Sequence, residues 1–203
     1  MTRLALGIVV LASSSRTRRH MLEQAGVAVD AVAPRVDEEE IKESMIAAGA
    51  DGAAIAEVLA ERKAAYVSRQ RPHDLVVGAD QILECGGRIY SKPADRDAAR
   101  RQLLELRGRE HALISCACAV RGGERLWHQL DRARLTMRPC SDAFIDAYLD
   151  AAGDTALEGP GAYRVEGIGA QLFSRIAGNH FTILGLPLIP LLDYLRLQGM
   201  LRS

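Results

Sequence analysis

The sequence lacks the features that would suit a nucleic-acid-binding, zinc-binding or membrane-spanning protein. Its 26 basic and 26 acidic residues leave no net charge to hold a polyanion or an anionic membrane. No apolar run reaches the 18 residues of a membrane span. The histidines show no metal-ligand spacing, and no CxxC pair is present, so neither a zinc site nor a disulfide scaffold is indicated. Buried free thiols are therefore expected at Cys85, Cys116, Cys118 and Cys140.

The 203 residues are 48% apolar and 26% charged, a composition typical of one ordinary globular domain spanning 1–203. The apolar run 4–12 after Arg3 has the length of a signal-peptide core. However, arginines follow it at once, and the run equally predicts a buried parallel strand that leads into a helix. We therefore expect a cytoplasmic protein.

Hydrophobic periodicity, caps and turn residues predict an α/β fold. The predicted strands are 4–12, 27–33, 75–79, 110–120 and 126–137, with a hairpin turn at Gly86-Gly87. The predicted helices are 15–25, 53–69, 95–107, 141–149 and 187–197. The acidic segment 36–40 is expected to be a solvated loop.

Three arginines crowd the first turn of the first predicted helix, namely Arg16, Arg18 and Arg19. The positive end of the helix macrodipole disfavours cations by about 0.3–1 kcal/mol each. A serine-rich loop at a helix N-terminus offers backbone N–H groups to an anion, and arginine adds forked donors. The pattern predicts a phosphate or carboxylate site, with an exposed basic turn as the alternative. No GxxxxGK[ST] or GxGxxG motif accounts for it.

Asp80 follows the apolar strand 75–79, and the loop 13–18 follows the first strand. Ligands of open α/β sheets gather outside the carboxyl ends of the strands. We therefore expect Asp80 and the serine-rich loop to line one cleft. The alternative is that Asp80 only forms a turn.

Only three of the 26 basic residues are lysines: Lys42, Lys63 and Lys92. Lys63 falls on an otherwise apolar helical stripe with four-residue spacing. The hairpin register pairs residue 92 with residue 81, which sets Lys92 beside Asp80. The alternatives are a snorkelling side chain for Lys63 and a hairpin-end charge for Lys92. Cations, a carboxylate and no nucleophile triad together suggest hydrolysis of a phosphoanhydride.

Six ordered motifs spread over nearly the whole chain carry a family resemblance. They are Leu11-Ala12-Ser13-Ser14-Ser15 with Arg18-Arg19, Val36-Asp37-Glu38, Glu61-Arg62-Lys63-Ala64, Gly78-Ala79-Asp80-Gln81, Ser91-Lys92-Pro93-Ala94-Asp95, and a tail with Gly161-Ala162-Tyr163, Glu166-Gly167 and Gly185-Leu186-Pro187-Leu188. The sequence resembles the Maf-like nucleoside triphosphate pyrophosphatases, named for a septum-formation inhibitor.

That resemblance implies an elongated Maf/Ham-like fold, a mixed twisted sheet flanked by helices, in a homodimer. It also implies a divalent cation, Mg or Mn, and hydrolysis of a free nucleoside triphosphate to the monophosphate and diphosphate. The roles it implies are a general base at Asp80, phosphate-loop residues at Ser13 and Arg18, phosphate clamps at Lys63 and Lys92, and metal ligands at Glu38 and Asp80.

Three positions depart from the commonest family pattern and bear on the base of the substrate: Thr17, Gln81 and Glu166. Gln81 and Glu166 resemble the branch that prefers N7-methylated GTP over the branch that takes dTTP and UTP. N7-methylation makes the guanine ring cationic, which a carboxylate at position 166 would favour. The alternatives are a surface role for Glu166, the dTTP/UTP activity, and a nucleotide-binding regulator of cell division that hydrolyses nothing.

Overall fold

A computed structural model describes residues 4–202 of the chain, so Arg3, which precedes the first apolar run, lies outside the described residues. Seven strands form one mixed sheet in the order β2-β1-β3-β5-β6-β7, with β4 paired to β3. The strands are β1 Ile8–Ala12, β2 Ala28–Val32, β3 Val76–Cys85, β4 Arg88–Tyr90, β5 Glu110–Arg121, β6 Glu124–Met137 and β7 Phe173–Ala177. β1 runs parallel to β2 and β3, whereas the β3–β4 and β6–β7 pairs are antiparallel. The predicted mixed α/β class is confirmed.

Helices flank this sheet, and two 3₁₀ turns, Gly153–Leu157 and Ile168–Leu172, accompany them. The helices are α1 Arg16–Gln24, α2 Glu38–Ala47, α3 Gly52–Gln70, α4 Arg96–Leu106, α5 Asp142–Ala152, α6 His180–Ile183 and α7 Leu188–Leu197. The cap predicted at Ser15 is confirmed, because its hydroxyl accepts a hydrogen bond from the Arg18 backbone N–H at 3.3 Å.

The loop expected at 36–40 is wrong, since this segment starts helix α2. The Asp37 carboxylate caps the helix by accepting from the Glu40 N–H at 3.1 Å, and Glu38, Glu39 and Glu40 fill the first turn. Acidic residues are favourable at that end of the macrodipole. The helix buries none of its side chains, so its sequence carries no apolar stripe that could have revealed it.

Two predicted strand boundaries are also wrong. The first strand begins only at Ile8, and Leu4 and Leu6 are each 58% exposed. β3 does not end before Asp80 but continues to Cys85. Its last parallel pair with β1 is Ala12–Gly78, so Asp80 lies in the part of β3 that extends past the carboxyl end of β1.

The hairpin predicted at Gly86-Gly87 is confirmed, with Cys85 opposite Arg88. The ladder between β3 and β4 stops at the Leu83–Tyr90 pair. The 81–92 pairing, which placed Lys92 beside Asp80, therefore lies beyond the observed ladder and stays a prediction.

The chain forms two compact units, each assembled from separate stretches of sequence. The first consists of 1–81, 114–131 and 179–203, and the second of 82–113 and 132–178. Strands β3, β5 and β6 run through both units, and the single-domain expectation stays a prediction. Among residues 4–202, no helix is long and apolar enough to cross a membrane. All four cysteines are free and buried, as expected.

In the first unit, alternate residues of the strands serve opposite faces of the sheet. Helices α1 and α7 pack on the face that carries Val9, Leu11, Val77 and Ala79. Helix α3 packs on the other face, where Gly78 provides the contact: a Cβ on this glycine would lie 2.2 Å from the Ala60 carbonyl oxygen. The close approach of α3 positions the site described below.

The second unit combines a buried apolar core that includes Leu103, Leu106 and Ile145 with charged and aromatic contacts. Arg100 on α4 bonds Asp146 on α5 at 2.6 Å, and Arg107 bonds Asp142 at 2.5 Å. His111 is buried, and its Nε2 lies 2.7 Å from the Tyr163 hydroxyl.

Candidate active site

A buried ammonium group joins two carboxylates in the first unit. Lys63 Nζ lies 2.5 Å from Asp80 Oδ1 and 2.8 Å from Glu38 Oε2. Lys63 and Asp80 are each only 4% exposed, whereas Glu38 is half-buried. Asp80 Oδ2 is buried without a hydrogen-bond partner among the described residues. One oxygen of the Asp80 carboxylate is thus held by a cation and the other remains as an acceptor.

The local fold explains how this lysine reaches Asp80. The predicted stripe is confirmed, because Ile55, Leu59, Lys63 and Val67 are all buried along α3. Gly78 and Asp80 are two residues apart on one strand and face the same side of the sheet. Because Gly78 has no side chain, α3 lies close enough for the Lys63 ammonium to pair with Asp80.

The serine-rich loop after β1 places Ser13 and Arg18 in this unit. Arg18 Nε donates to the Gly185 carbonyl at 2.8 Å, and Arg18 Nη1 lies 3.4 Å from Ser13 Oγ. Burial lowers the pKa of the Arg18 guanidinium, while the charges of Asp80 and Glu38 raise it. The effect of burial is the larger, so the pKa of Arg18 lies below its ordinary value.

The other two arginines fit the alternative of an exposed basic turn. Arg16 is exposed, and Arg19 is exposed and pairs with Glu23 one turn later at 2.7 Å. The expected anion-binding role therefore stays with Arg18 alone. Thr17, the second residue of α1, is half-buried.

Gln81 faces away from Asp80 and is engaged by the protein itself. Its side-chain nitrogen, which has two hydrogens to donate, lies within hydrogen-bond distance of the Thr182 carbonyl at 2.9 Å, the Ile183 carbonyl at 3.0 Å and Ser115 Oγ at 3.1 Å. No local sequence pattern indicates this contact, because Ser115 and Thr182 are 34 and 101 residues away.

The remaining two candidates belong to the second unit. Lys92 is exposed in the segment between β4 and α4. Glu166 is also exposed, and its carboxylate pairs with Arg164 Nη2 at 2.8 Å. Hydrogen bonding to Glu166 raises the pKa of Arg164. The negative charge at position 166 is therefore partly compensated by its own neighbour.

The acidic pair suits a hard divalent cation. Glu38 and Asp80 offer carboxylate oxygens, and the buried Asp80 Oδ2 has no protein partner in the described part of the chain. No cluster of three His, Cys, Asp or Glu side chains is found among residues 4–202. Mg²⁺ commonly takes only one or two protein carboxylates and completes its shell with waters and substrate phosphates, so the donor set fits.

Comparison with known proteins identifies the family of this chain. The model of the Maf-like protein family matches residues 8–198, and the chain belongs to this family. It is 51% identical over 190 residues to a protein of Paramagnetospirillum magneticum named nucleoside triphosphate pyrophosphatase, covering 94% of this chain and 98% of the relative. A relative of the same name from Caulobacter vibrioides is 46% identical over 198 residues, covering 98% and 99%.

A solved structure, the nucleoside-triphosphatase or dITP/XTP pyrophosphatase of Mycobacterium abscessus, is similar at 16% identity with a TM-score of 0.41. The match covers 95% of this chain and 94% of that one. The two share too little to argue from one to the other.

Proposed function

We propose that this protein hydrolyses a nucleoside triphosphate to the nucleoside monophosphate and diphosphate. The observation that carries the proposal is the Asp80 carboxylate, with Oδ1 bonded to Lys63 Nζ at 2.5 Å and Oδ2 buried without a partner among the described residues. A buried carboxylate oxygen that lacks a donor suits a water molecule, whose proton it can accept as a general base. The names of the close relatives support the same reaction.

The charged groups around Asp80 have the character needed for a triphosphate. Arg18 provides a guanidinium beside the Ser13 hydroxyl at 3.4 Å, and guanidinium groups match phosphate oxygens with two parallel donors. Lys63 lies between the two carboxylates and can transfer a hydrogen bond to a phosphate oxygen as charge develops in the transition state. In this proposal Lys92 is a further phosphate clamp.

Glu38 and Asp80 would hold the divalent cation, Mg or Mn. When bound, such a cation screens the phosphate oxygens and stabilises the developing charge. Because Glu38 and Asp80 would position the cation, Lys63 and Arg18 would bind the phosphate oxygens that the cation does not screen. The other expectations drawn from the family, a cytoplasmic homodimer that acts on free nucleotides and not on nucleic acid, stay part of this proposal.

For the base, we propose a preference for a 7-methyl-GTP-type substrate, with Glu166 recognising the cationic ring and Thr17 adding to selectivity. The ion pair between Arg164 and Glu166 at 2.8 Å means that the guanidinium must move aside, or share the carboxylate, when the ring binds. The carboxylate therefore contributes less than an unpaired one would, because its attraction to Arg164 has to be replaced.

The test is diphosphate release by the purified chain from a panel of triphosphates, including 7-methyl-GTP, dTTP, UTP and ATP, with Mg²⁺, with Mn²⁺ and with a chelator. We expect metal-dependent release with 7-methyl-GTP as the best substrate. Preference for dTTP or UTP would support the other enzymatic branch. Nucleotide binding without any release would support a non-catalytic regulator of division and reject the proposal.

A further inference from the structure

A buried polar network connects Gln81 to the turn that follows helix α6. Besides the three acceptors of the Gln81 amide, Ser115 Oγ donates to the Thr182 carbonyl at 2.8 Å. The Thr182 hydroxyl in turn donates to Asp131 Oδ2 at 2.5 Å. Ser115 and Thr182 are fully buried. The network therefore connects α6 to strands β3, β5 and β6. The residues that accept from Gln81 are all buried.

The carbonyls that Gln81 holds belong to the last turn of α6. Carbonyls at the end of a helix are costly to bury unless a donor reaches them, and here the Thr182 carbonyl already accepts from the Gly185 N–H at 3.0 Å. Only the side chains of Gln81 and Ser115 are seen to donate to the carbonyls of Thr182 and Ile183 from outside the turn in the described chain. The position of this turn therefore depends on them.

The turn ends at Gly185, whose carbonyl accepts the 2.8 Å hydrogen bond from Arg18 Nε. Gly185 has φ +97°, a conformation that side chains disfavour, and a Cβ built on it would lie 3.4 Å from both Nε and Nη2 of Arg18. The backbone of this one residue thus orients the guanidinium and lies in contact with it.

We propose that Gln81 is a positioning residue for Arg18, acting through the turn 182–185 and not by contact with the base of the nucleotide. The proposal rests on the function proposed above, because it assigns Arg18 to the triphosphate. Since Asp80 and Gln81 are consecutive on β3, they face opposite sides of the sheet. Asp80 meets Lys63 on one side, and Gln81 supports Arg18 from the other.

The decisive probe is inorganic triphosphate, which has no base to be read. Its affinity is measured by calorimetry, in Mg²⁺ buffer, for the wild-type chain, Gln81→Met and Arg18→Gln, and for the two changes combined. Gln129→Met is the matched control, because the Gln129 amide nitrogen donates to the carbonyl of its neighbour Leu130 at 2.9 Å and lies outside this network. Circular dichroism and urea unfolding verify that each variant is folded.

We expect Gln81→Met to weaken inorganic triphosphate binding about tenfold, the size of a lost charge-assisted contact, and to lower kcat/KM by a similar factor for every base. In the Arg18→Gln background it should cost nothing further. Unchanged triphosphate affinity together with a shifted ratio between bases would overturn the inference. Additive losses in the double variant would overturn it as well.

If Gln81→Met does not fold, Gly185→Ala and Ser115→Ala test the same connection between the turn 182–185 and Arg18, because each changes another residue of that connection. Both should weaken inorganic triphosphate binding, Gly185→Ala by the larger factor because it contacts Arg18 directly. Wild-type affinity in both folded variants would reject the path. Failure of the proposed function looks different: the wild-type chain itself would neither bind inorganic triphosphate nor release diphosphate from nucleotides.

Discussion

Gly78 on β3 and Ala60 on α3 approach so closely that a Cβ on the glycine would lie 2.2 Å from the Ala60 carbonyl oxygen. Gly78→Ala must push α3 away from the strand, which separates Lys63 from Asp80. We expect a loss of about 3 kcal/mol in the free energy of unfolding, the upper range for overpacking, and loss of triphosphate hydrolysis. Urea denaturation and diphosphate release measure the two effects. Gly159→Ala, where nothing lies within 4 Å of the added Cβ, should leave both unchanged.

Asp80→Asn removes the proposed base while conserving the shape of the side chain. We expect the variant to fold and bind nucleotide but to lose at least about 100-fold in kcat, the scale of general-base removal. Single-turnover kinetics and nucleotide titration separate the two steps. Asp74→Asn removes an ordinary surface-pairing carboxylate, which bonds Arg71 at 2.5 Å, and should turn over at the wild-type rate. A wild-type kcat in Asp80→Asn would show that another group takes the proton.

Lys63→Met should keep its place on the buried stripe, but it leaves the buried Asp80 carboxylate without its ion pair and should lower the free energy of unfolding by about 3 kcal/mol. It removes the cation between Asp80 and Glu38, and we expect a loss of a few kcal/mol in transition-state binding, seen as a fall in kcat/KM of about 100-fold or more. Lys92→Met is expected to act in the same direction. The third lysine, Lys42, supplies the control variant Lys42→Met, with unchanged kinetics. Normal kcat/KM in both folded test variants would leave these lysines with structural roles only.

Glu166→Gln removes a charge without changing shape and tests the proposed base preference. At a separation of about 4–5 Å and an effective dielectric near 20, a carboxylate and a cationic ring attract by roughly 3–4 kcal/mol before desolvation. The Arg164 pair reduces this value, and we expect the ratio of kcat/KM for 7-methyl-GTP over dTTP to fall about tenfold. Arg164→Gly should raise the same ratio by freeing the carboxylate. If neither variant changes the ratio, Glu166 does not read the base.

His111 makes the stability of the fold depend on acidity. Burial lowers the pKa of His111 to about 4, below its ordinary value of about 6.5, so the folded state favours the neutral ring. The stabilisation of the folded state that comes from the neutral His111 ring is complete above about pH 6.5 and is lost as the pH falls toward 4. Between pH 7.5 and 5 the free energy of unfolding should drop by about 2 kcal/mol from this group.

Urea unfolding at the two pH values measures this difference. His111→Gln can still reach the Tyr163 hydroxyl but does not titrate, so it should remove most of the pH dependence even if it lowers stability at both values. His73→Gln, a change at an exposed histidine, should keep the wild-type slope. Equal slopes in all three proteins would mean that His111 does not carry the effect.

Local chemistry predicted a good part of the fold and site. The four-residue stripe predicted that Lys63 is buried, and the serine at position 15 predicted a capped helix, because both depend only on neighbours along the chain. The Arg18 bond to Gly185 spans 167 residues, and no local pattern contains such a contact. Asp80 was wrongly expected at a strand end for a related reason: a buried charge inside a strand needs a partner, and here that partner is Lys63, 17 residues away.

The interleaving of the two units determines when the site can exist during protein synthesis. The phosphate loop, Glu38, Lys63 and Asp80 are all synthesised within the first 81 residues, yet the compact unit to which they belong also includes 114–131 and 179–203. Arg18 gains its carbonyl partner only when Gly185 has been made. A nascent chain therefore carries the chemical groups of the site for more than half of its translation before they can be held in place, and truncation before residue 179 should give a protein with the reactive side chains but no ordered site.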